Sequence, residues 1–221
     1  MTIDPRVVAE RLAVIRHRIE AVVGEGRAAD VAVLAVTKAF GPDAVEAAMA
    51  AGCRAVGENY AQELAAKFGD LEPRPEVHFI GQLQTNKVRL VAPFVAVYET
   101  VDRDSLAIEI AKRAPGARVL VQVDTSNEPG KGGCPVADVA ALVDTCRGLG
   151  LHVEGLMTVG PTEGGPEAAR PGFRTVRQLV DALGLTVCSM GMSDDLEVAV
   201  SEGSTEVRVG SALFGSRPPR G

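Results

Sequence analysis

Apolar positions along this chain follow two rhythms that take turns. Val31-Ala-Val-Leu-Ala-Val36 is an unbroken apolar run, half of it valine, ending at Thr37-Lys38. Such a run reads as a strand buried on both faces. Similar short runs recur at Arg54–Gly57, Val77–Ile80, Phe94–Tyr98, Arg118–Val123, His152–Met157, Thr186–Met190 and Glu206–Val209. Between them lie stretches of helical spacing. These are Ala44–Ala51 capped by Asp43, Ala61–Phe68, a short turn after Lys87, Ser105–Arg113 and Val136–Arg147. Further on come Glu167–Leu183, with a break expected at Pro171-Gly172, then Ser193–Glu202 and a last turn at Gly210–Phe214. Ahead of the first strand, Asp4-Pro5 is a strong helix start. Val8, Leu12, Ile15, Ile19 and Val22 then form one apolar face up to Gly24.

Eight strands alternating with helices through short loops predict a parallel sheet. Eight regular units in one chain suit closure into a single-domain (β/α)₈ TIM barrel better than an open doubly wound sheet. The expected organisation is one domain over residues 1–215, the amino-terminal helix packed outside it, and an unstructured tail at 216–221.

Composition adds exclusions. With 46% apolar residues and a net charge of −6, the chain can bury a core and has no basic stripe for nucleic acid or membrane surfaces. The start lacks the layout of a signal peptide, and no apolar run is long enough to span a bilayer, so a soluble cytoplasmic chain is expected. Cys53, Cys134, Cys146 and Cys188 have no paired spacing. They predict free thiols rather than a zinc or redox site.

In this fold the chemistry sits where strands end. The predicted exits offer Lys38, Asn59 with Tyr60, Gln82, Gly191-Met-Ser193, and Arg208 with Gly210 and Ser211. A lysine delivered by a buried strand suits Schiff-base chemistry, because desolvation exposes its neutral, nucleophilic form. The plainer alternative is a lysine reaching to water. Histidines 78 and 152 fall at strand entrances and His17 on the outer helix, so structural roles are expected for all three and no metal site. The loops after strands seven and eight each combine serine, glycine and a helix start, Ser193 being the expected N-cap. That is where this fold commonly holds phosphate. A Schiff-base lysine facing a phosphate site specifies a phosphorylated carbonyl compound, either pyridoxal 5′-phosphate or a sugar phosphate in an aldolase. Arg208 could face a pyridine nitrogen or pair with Glu206 or Glu58.

Leu34-Ala-Val-Thr-Lys38, Gly57-Glu-Asn-Tyr60, His78-Phe-Ile-Gly-Gln-Leu-Gln-Thr-Asn-Lys87, Gly155-Leu-Met157, Ser189-Met-Gly-Met-Ser-Asp-Asp195 and Val207-Arg-Val-Gly-Ser-Ala-Leu-Phe-Gly215 stand in a recognisable order. The chain resembles the pyridoxal phosphate homeostasis (proline-synthetase-co-transcribed) family from its first helix to its eighth unit. That resemblance implies a barrel similar to the alanine racemase amino-terminal domain, with pyridoxal phosphate as an aldimine on Lys38. It also implies Asn59 near the ring, Arg208 facing the ring nitrogen, and Ser193, Gly210 and Ser211 holding the phosphate. The implied role is binding and buffering the cofactor, with PLP-dependent apoenzymes as the expected recipients; since no long exposed apolar face demands a partner, a monomer is expected. The alternative is a PLP-dependent, racemase-like enzyme whose second base would have to be Tyr60 or Tyr98. Ser211 stands where threonine is frequent, Glu99 where a histidine is expected, and the loop 127–133 is richer in glycine and proline.

Overall fold

The computed structural model describes residues 3–69, 71 and 73–216. Of the predicted tail only Ser216 is among them; 217–221 lie outside the described residues. Eight parallel strands form the barrel: β1 Ala32–Val36, β2 Ala55–Glu58, β3 Glu76–Phe79, β4 Val97–Val101, β5 Arg118–Asp124, β6 His152–Met157, β7 Val187–Ser189 and β8 Glu206–Val209. Each pairs with the next in the chain, including β4 with β5, and β8 returns to β1 with Leu34 opposite Arg208. The predicted closure is therefore the observed one. A two-residue strand, Cys134–Pro135, adds to β5 beside Val123 and Asp124.

Period-two alternation gives the strands two different faces. Val33, Ala35, Val56, Val77, Phe79, Tyr98, Val119, Val121, Leu156, Cys188, Val207 and Val209 join one large apolar core between the barrel and its helices. The helices are α1 Pro5–Val23, α2 Pro42–Ala50, α3 Ala61–Phe68, α4 Val88–Val91, α5 Asp104–Arg113, α6 Val139–Gly148, α7 Gly165–Ala168, α8 Arg170–Ala182, α9 Leu196–Ser201 and α10 Ser211–Phe214. Inside the barrel the apolar cluster is small, with Val97, Leu120 and Met157 at its centre. Buried polar side chains occupy much of the rest: His78, Glu99, Gln122, Ser189, Glu206 and Arg208.

Helix α1 starts as expected, with Asp4 Oδ1 accepting from the Arg6 amide at 2.9 Å and Gly24 closing it at φ +83°. Val8, Ile15 and Ile19 are its buried face. It lies outside the barrel against α2, α9 and α10. Arginines fasten it there: Arg11 donates to the Leu213 carbonyl, and Arg18 donates to Glu197 and to the Ser193 carbonyl.

Several boundaries differ from the sequence pattern, and four of them have a clear local cause. Strand β4 runs Val97–Val101, not Phe94–Tyr98, because the Phe94 amide still bonds back to Val91 as the chain leaves α4. Helix α2 begins at Pro42 with Gly41 at the N-cap, and the Asp43 carboxylate instead accepts from the Ile3 amide at 3.0 Å. The long helix near Glu167 is broken at Ala169. Pro171 sits in the first turn of α8, where a missing N–H costs nothing. The helix after β7 begins at Leu196, with Asp195 rather than Ser193 at its N-cap. All four cysteines are buried free thiols, as their spacing predicted.

Candidate functional site

Strand β1 delivers Lys38 through Thr37. The Thr37 hydroxyl follows the outward series of Val33 and Ala35 and donates to Glu58 Oε1 at 2.7 Å. Lys38 is half-buried at the turn that follows, on the opposite side of that alternation. Its strand lies between β2 and β8, so the lysine emerges between Asn59 and Gly210. Asn59 directly follows β2. Its Oδ1 is fully buried and has no hydrogen-bond partner among the described residues. The backbone there is crowded from beside by Gly81, where an added Cβ would lie 2.1 Å from the Asn59 carbonyl oxygen. Only glycine permits that approach.

The two loops expected to hold phosphate do come together. The Ser211 hydroxyl donates to the Ser193 hydroxyl at 3.3 Å, bridging the exits of β7 and β8. Ser193 is not a helix cap; its carbonyl is held by Arg18 at 3.0 Å, and the turn is closed by Asp195 accepting from the Met192 amide at 2.6 Å. Gly191 has φ +93°, and a Cβ there would lie 2.4 Å from that of Ala199, so the turn requires glycine. Gly210 packs against β1, leaving 3.3 Å between an added Cβ and the Val36 carbonyl oxygen. Thus Lys38, Asn59, Ser193, Gly210 and Ser211 share the carboxyl ends of four adjacent strands.

Arg208 is in the barrel beneath them, buried, and pairs with neither Glu206 nor Glu58. Its guanidinium donates to the Ser189 carbonyl and hydroxyl, both at 2.8 Å, and to the Thr158 carbonyl at 2.7 Å. Ser189 passes the connection on, donating to Glu99 Oε2 at 2.7 Å, and Glu99 Oε1 meets His78 Nδ1 at 2.6 Å. His78 is therefore inside the barrel and not merely at its entrance, while His152 is exposed at the start of β6. Burial opposes a charged His78, but hydrogen bonds to Glu76 and Glu99 outweigh it and raise its pKa to about 10. Burial also works against a charged Glu99, and the His78 pair, with the Arg208 charge, pulls its pKa down. Burial and the Glu99 charge push Glu206 up to about 8. His78, Glu99 and Glu206 offer ligand atoms within 4.8 Å of one another, a grouping able to hold a cation. Two of those atoms, however, already satisfy each other.

This interior predicts a pH dependence of folding. His78 and Glu206 both keep a proton in the fold that the unfolded chain gives up near 6.5 and 4.5 respectively. Their contribution is complete below those values and is lost as pH rises through about 8 for Glu206 and about 10 for His78. The Tm of the cofactor-free protein should fall as pH rises between those lower and upper values, levelling off above about 10. Glu206→Gln, which keeps a neutral polar side chain, should flatten the part below about pH 8. A Tm that does not respond to pH there would show that these protons are not linked to folding.

The model of the alanine racemase N-terminal domain family matches residues 11–218. The pyridoxal phosphate homeostasis protein of Pseudomonas aeruginosa is 40% identical over 220 residues, 95% of this chain and 96% of that one. The chain belongs to the family of pyridoxal phosphate homeostasis proteins. Among solved structures, an unknown protein from Bifidobacterium adolescentis superposes with a TM-score of 0.87 at 34% identity, covering 95% of each chain. PipY of Synechococcus elongatus PCC7942, solved with PLP bound, gives 0.80 at 31% identity, covering 94% of this chain and 100% of that one.

The structure gives places to three features that the sequence singled out at or near the mouth. Glu99, where a histidine is expected, does not line the outer mouth; it is fully buried between His78 and Ser189. Tyr98 is no strand-exit side chain. It is the second residue of β4, turned into the outer apolar core, its hydroxyl without a partner among the described residues and its pKa raised by burial to about 12. The glycine-rich loop 127–133 folds over the mouth, with Gln82 donating to the Gly130 carbonyl and Gln122 to that of Gly132. It closes one side of a cavity of about 210 Å³ that Asn59, Gln82, Gln122 and Asp124 line. Sequence reasoning passed over Thr158, Ser189 and the role of His78. The one signal, for Ser189 and His78, was inward parity on strands whose alternate residues are apolar; Thr158 lies just past the end of β6 and contributes its backbone carbonyl.

Proposed function

We propose that this chain binds pyridoxal 5′-phosphate through Lys38 and serves cofactor homeostasis by holding it and handing it on. The observation that carries the reading is the juxtaposition at one mouth of a strand-end lysine, the orphaned amide oxygen of Asn59 and the paired hydroxyls of Ser193 and Ser211. That donor set fits the group: an amine for its aldehyde, an unsatisfied polar atom beside the ring, and hydroxyls for its phosphate. Bound pyridoxal phosphate would supply an aldehyde able to condense with an amine, with loss of water, to a Schiff base. Lys38 provides that amine, Asn59 orients the ring, and Gly210 lets the backbone close on the phosphate. Arg208 has three donors committed to Ser189 and Thr158, which leaves part of its five-donor fork for the ring nitrogen. A cation there disfavours protonation of that nitrogen and weakens the ring as an electron sink. The relatives named for pyridoxal phosphate homeostasis, and the PipY structure holding PLP, support the same assignment.

The reading includes a monomeric carrier in the cytoplasm that passes the cofactor to PLP-dependent apoenzymes. No helix among the described residues is long and apolar enough to cross a membrane. The test begins with the visible absorbance of the purified protein, which borohydride should remove while adding the cofactor's mass to the peptide containing Lys38. Transfer to an apoenzyme, with and without a trap for free cofactor, then separates direct hand-over from release. A sugar-phosphate aldolase would show no such chromophore. A racemase-like enzyme would turn over amino acids steadily; with Tyr98 in the outer core, Tyr60 is the tyrosine left near the mouth to serve as its second base.

The hydroxyl pair gives a graded expectation. Replacing Ser193 and Ser211 together by alanine should weaken retention but leave Schiff-base formation, since backbone donors remain. Hydrogen bonds to a charged group contribute roughly 1.5–3 kcal/mol each. Dialysis against buffer, followed by the residual absorbance, measures the loss. Retention equal to the parent's would place the phosphate elsewhere.

A further inference from the structure

Behind β1, on the face away from the barrel interior, lies a buried ion cluster that the cofactor reading does not use. The Lys67 ammonium, from α3, donates to the Thr37 carbonyl at 2.9 Å, to Glu58 Oε1 at 2.6 Å and to Glu63 Oε1 at 3.0 Å. Those three bonds use every N–H of an ammonium group. Glu63 Oε1 also accepts from the Ala39 amide at 2.6 Å. Thr37 and Ala39 flank Lys38, so one ion pair grips the peptide groups on both sides of it. Ala39 moreover has φ +65°, a left-handed conformation that its Cβ disfavours and that nothing in alanine itself would choose. The Glu63 carboxylate is what meets its amide there.

A buried ion pair is a poor source of stability compared with apolar packing of the same volume. Burial indeed raises the Glu58 pKa against the lowering effects of Lys67 and Thr37. The cluster's value is geometric. We infer that Lys67 and Glu63 are positioning residues for Lys38, holding the turn in the one backbone conformation that presents its amine to the cofactor aldehyde. This rests on the reading that Lys38 carries pyridoxal phosphate. It predicts that the cluster controls covalent attachment but not recognition of the phosphate, which is left to the loops of Ser193 and Ser211.

The experiment compares full-length Glu63→Leu, Glu63→Gln and Lys67→Met with the parent. Pyridoxal 5′-phosphate is added to each cofactor-free protein and the rate and extent of borohydride-fixed attachment are read. Binding of pyridoxine 5′-phosphate, which has no aldehyde, is measured in parallel, with thermal denaturation as a folding check. Glu63→Leu and Lys67→Met should lose about tenfold in attachment, the equivalent of one hydrogen bond to a charged group. Glu63→Gln keeps an acceptor for the Ala39 amide and should stay near the parent, and pyridoxine phosphate binding should change little in any of them. If Lys67→Met does not fold, the two Glu63 variants decide. The inference falls if Glu63→Leu attaches cofactor like the parent, if Leu and Gln are equally impaired, or if pyridoxine phosphate binding drops in step. A parent that gives no adduct at Lys38 at all overturns the functional reading itself.

Discussion

Lys38→Ala should abolish borohydride-fixed attachment of pyridoxal phosphate while the protein remains folded. The side chain is half-buried at a turn, outside the regular part of β1, and is no member of the apolar core. Its removal opens no core void, so the cost should stay well below the roughly 2–5 kcal/mol of truncating a core side chain. The backbone on either side is held by Lys67 and Glu63 through contacts the substitution does not touch. Cooperative unfolding should therefore persist with a midpoint close to the parent's, while mass spectrometry of the reduced protein finds no adduct. Weak binding through the phosphate loops should survive and wash out on dialysis. The informative failure would be an undiminished adduct on another lysine. Lys67 packs against the Thr37 carbonyl, yet its ammonium already makes three hydrogen bonds and is almost wholly enclosed, which makes it a poor nucleophile. Lys131, which lines the mouth cavity, donates to the Gly160 carbonyl at 2.6 Å and pairs with Glu128 at 3.0 Å.

The barrel was legible in the sequence because its outer strand faces are apolar and its helices carry matching stripes. Period-two and period-3.6 patterns both report burial against one large core, and that core is the one formed. The inner face reports almost nothing by hydrophobicity. Glu99 and Thr100 looked like the end of a strand that the apolar run Phe94–Tyr98 had already used, yet both lie within β4 and are buried. A charged residue can face a barrel interior when an opposite charge meets it there, and the partner, His78, is on another strand at 2.6 Å. No window along the chain contains both.

The candidate site divides in the same way. Lys38, Asn59, Gly210 and Ser211 were visible as strand-exit residues, and strand order alone brings them together. Serine before an acidic helix start suggested a cap at Ser193, whereas Asp195 takes that position. Ser193 is freed to meet Ser211 by a turn that Gly191 alone can make. Arg208 was singled out to face a pyridine nitrogen, with Glu206 or Glu58 as the plainer carboxylate partners. Its real partners, Ser189 and Thr158, come from the two strand units preceding its own.

Those partners make Arg208→Met the most damaging single change expected in this chain. The substitution keeps much of the side-chain volume but removes donors from the Ser189 carbonyl, the Ser189 hydroxyl and the Thr158 carbonyl, all deep in the barrel. It also removes a positive charge that helps keep Glu99 ionised. Leaving one side of a buried charged network unpaired costs about 3–5 kcal/mol, a large share of the roughly 5–15 kcal/mol by which most domains are stable. Urea denaturation of the cofactor-free protein measures this without any contribution from ligand. Arg208→Lys should fall between the two, since a lysine keeps the charge but cannot present two nitrogens to acceptors on neighbouring strands. The Glu99 carboxyl should titrate at higher pH in the methionine variant than in the parent, because one of the two cations that hold it down is gone. Stability equal to the parent's in Arg208→Met would mean that the interior is held by the His78–Glu99 pair alone. In that case the guanidinium is kept for the cofactor ring, and its cost should appear instead as weaker binding of pyridoxal phosphate.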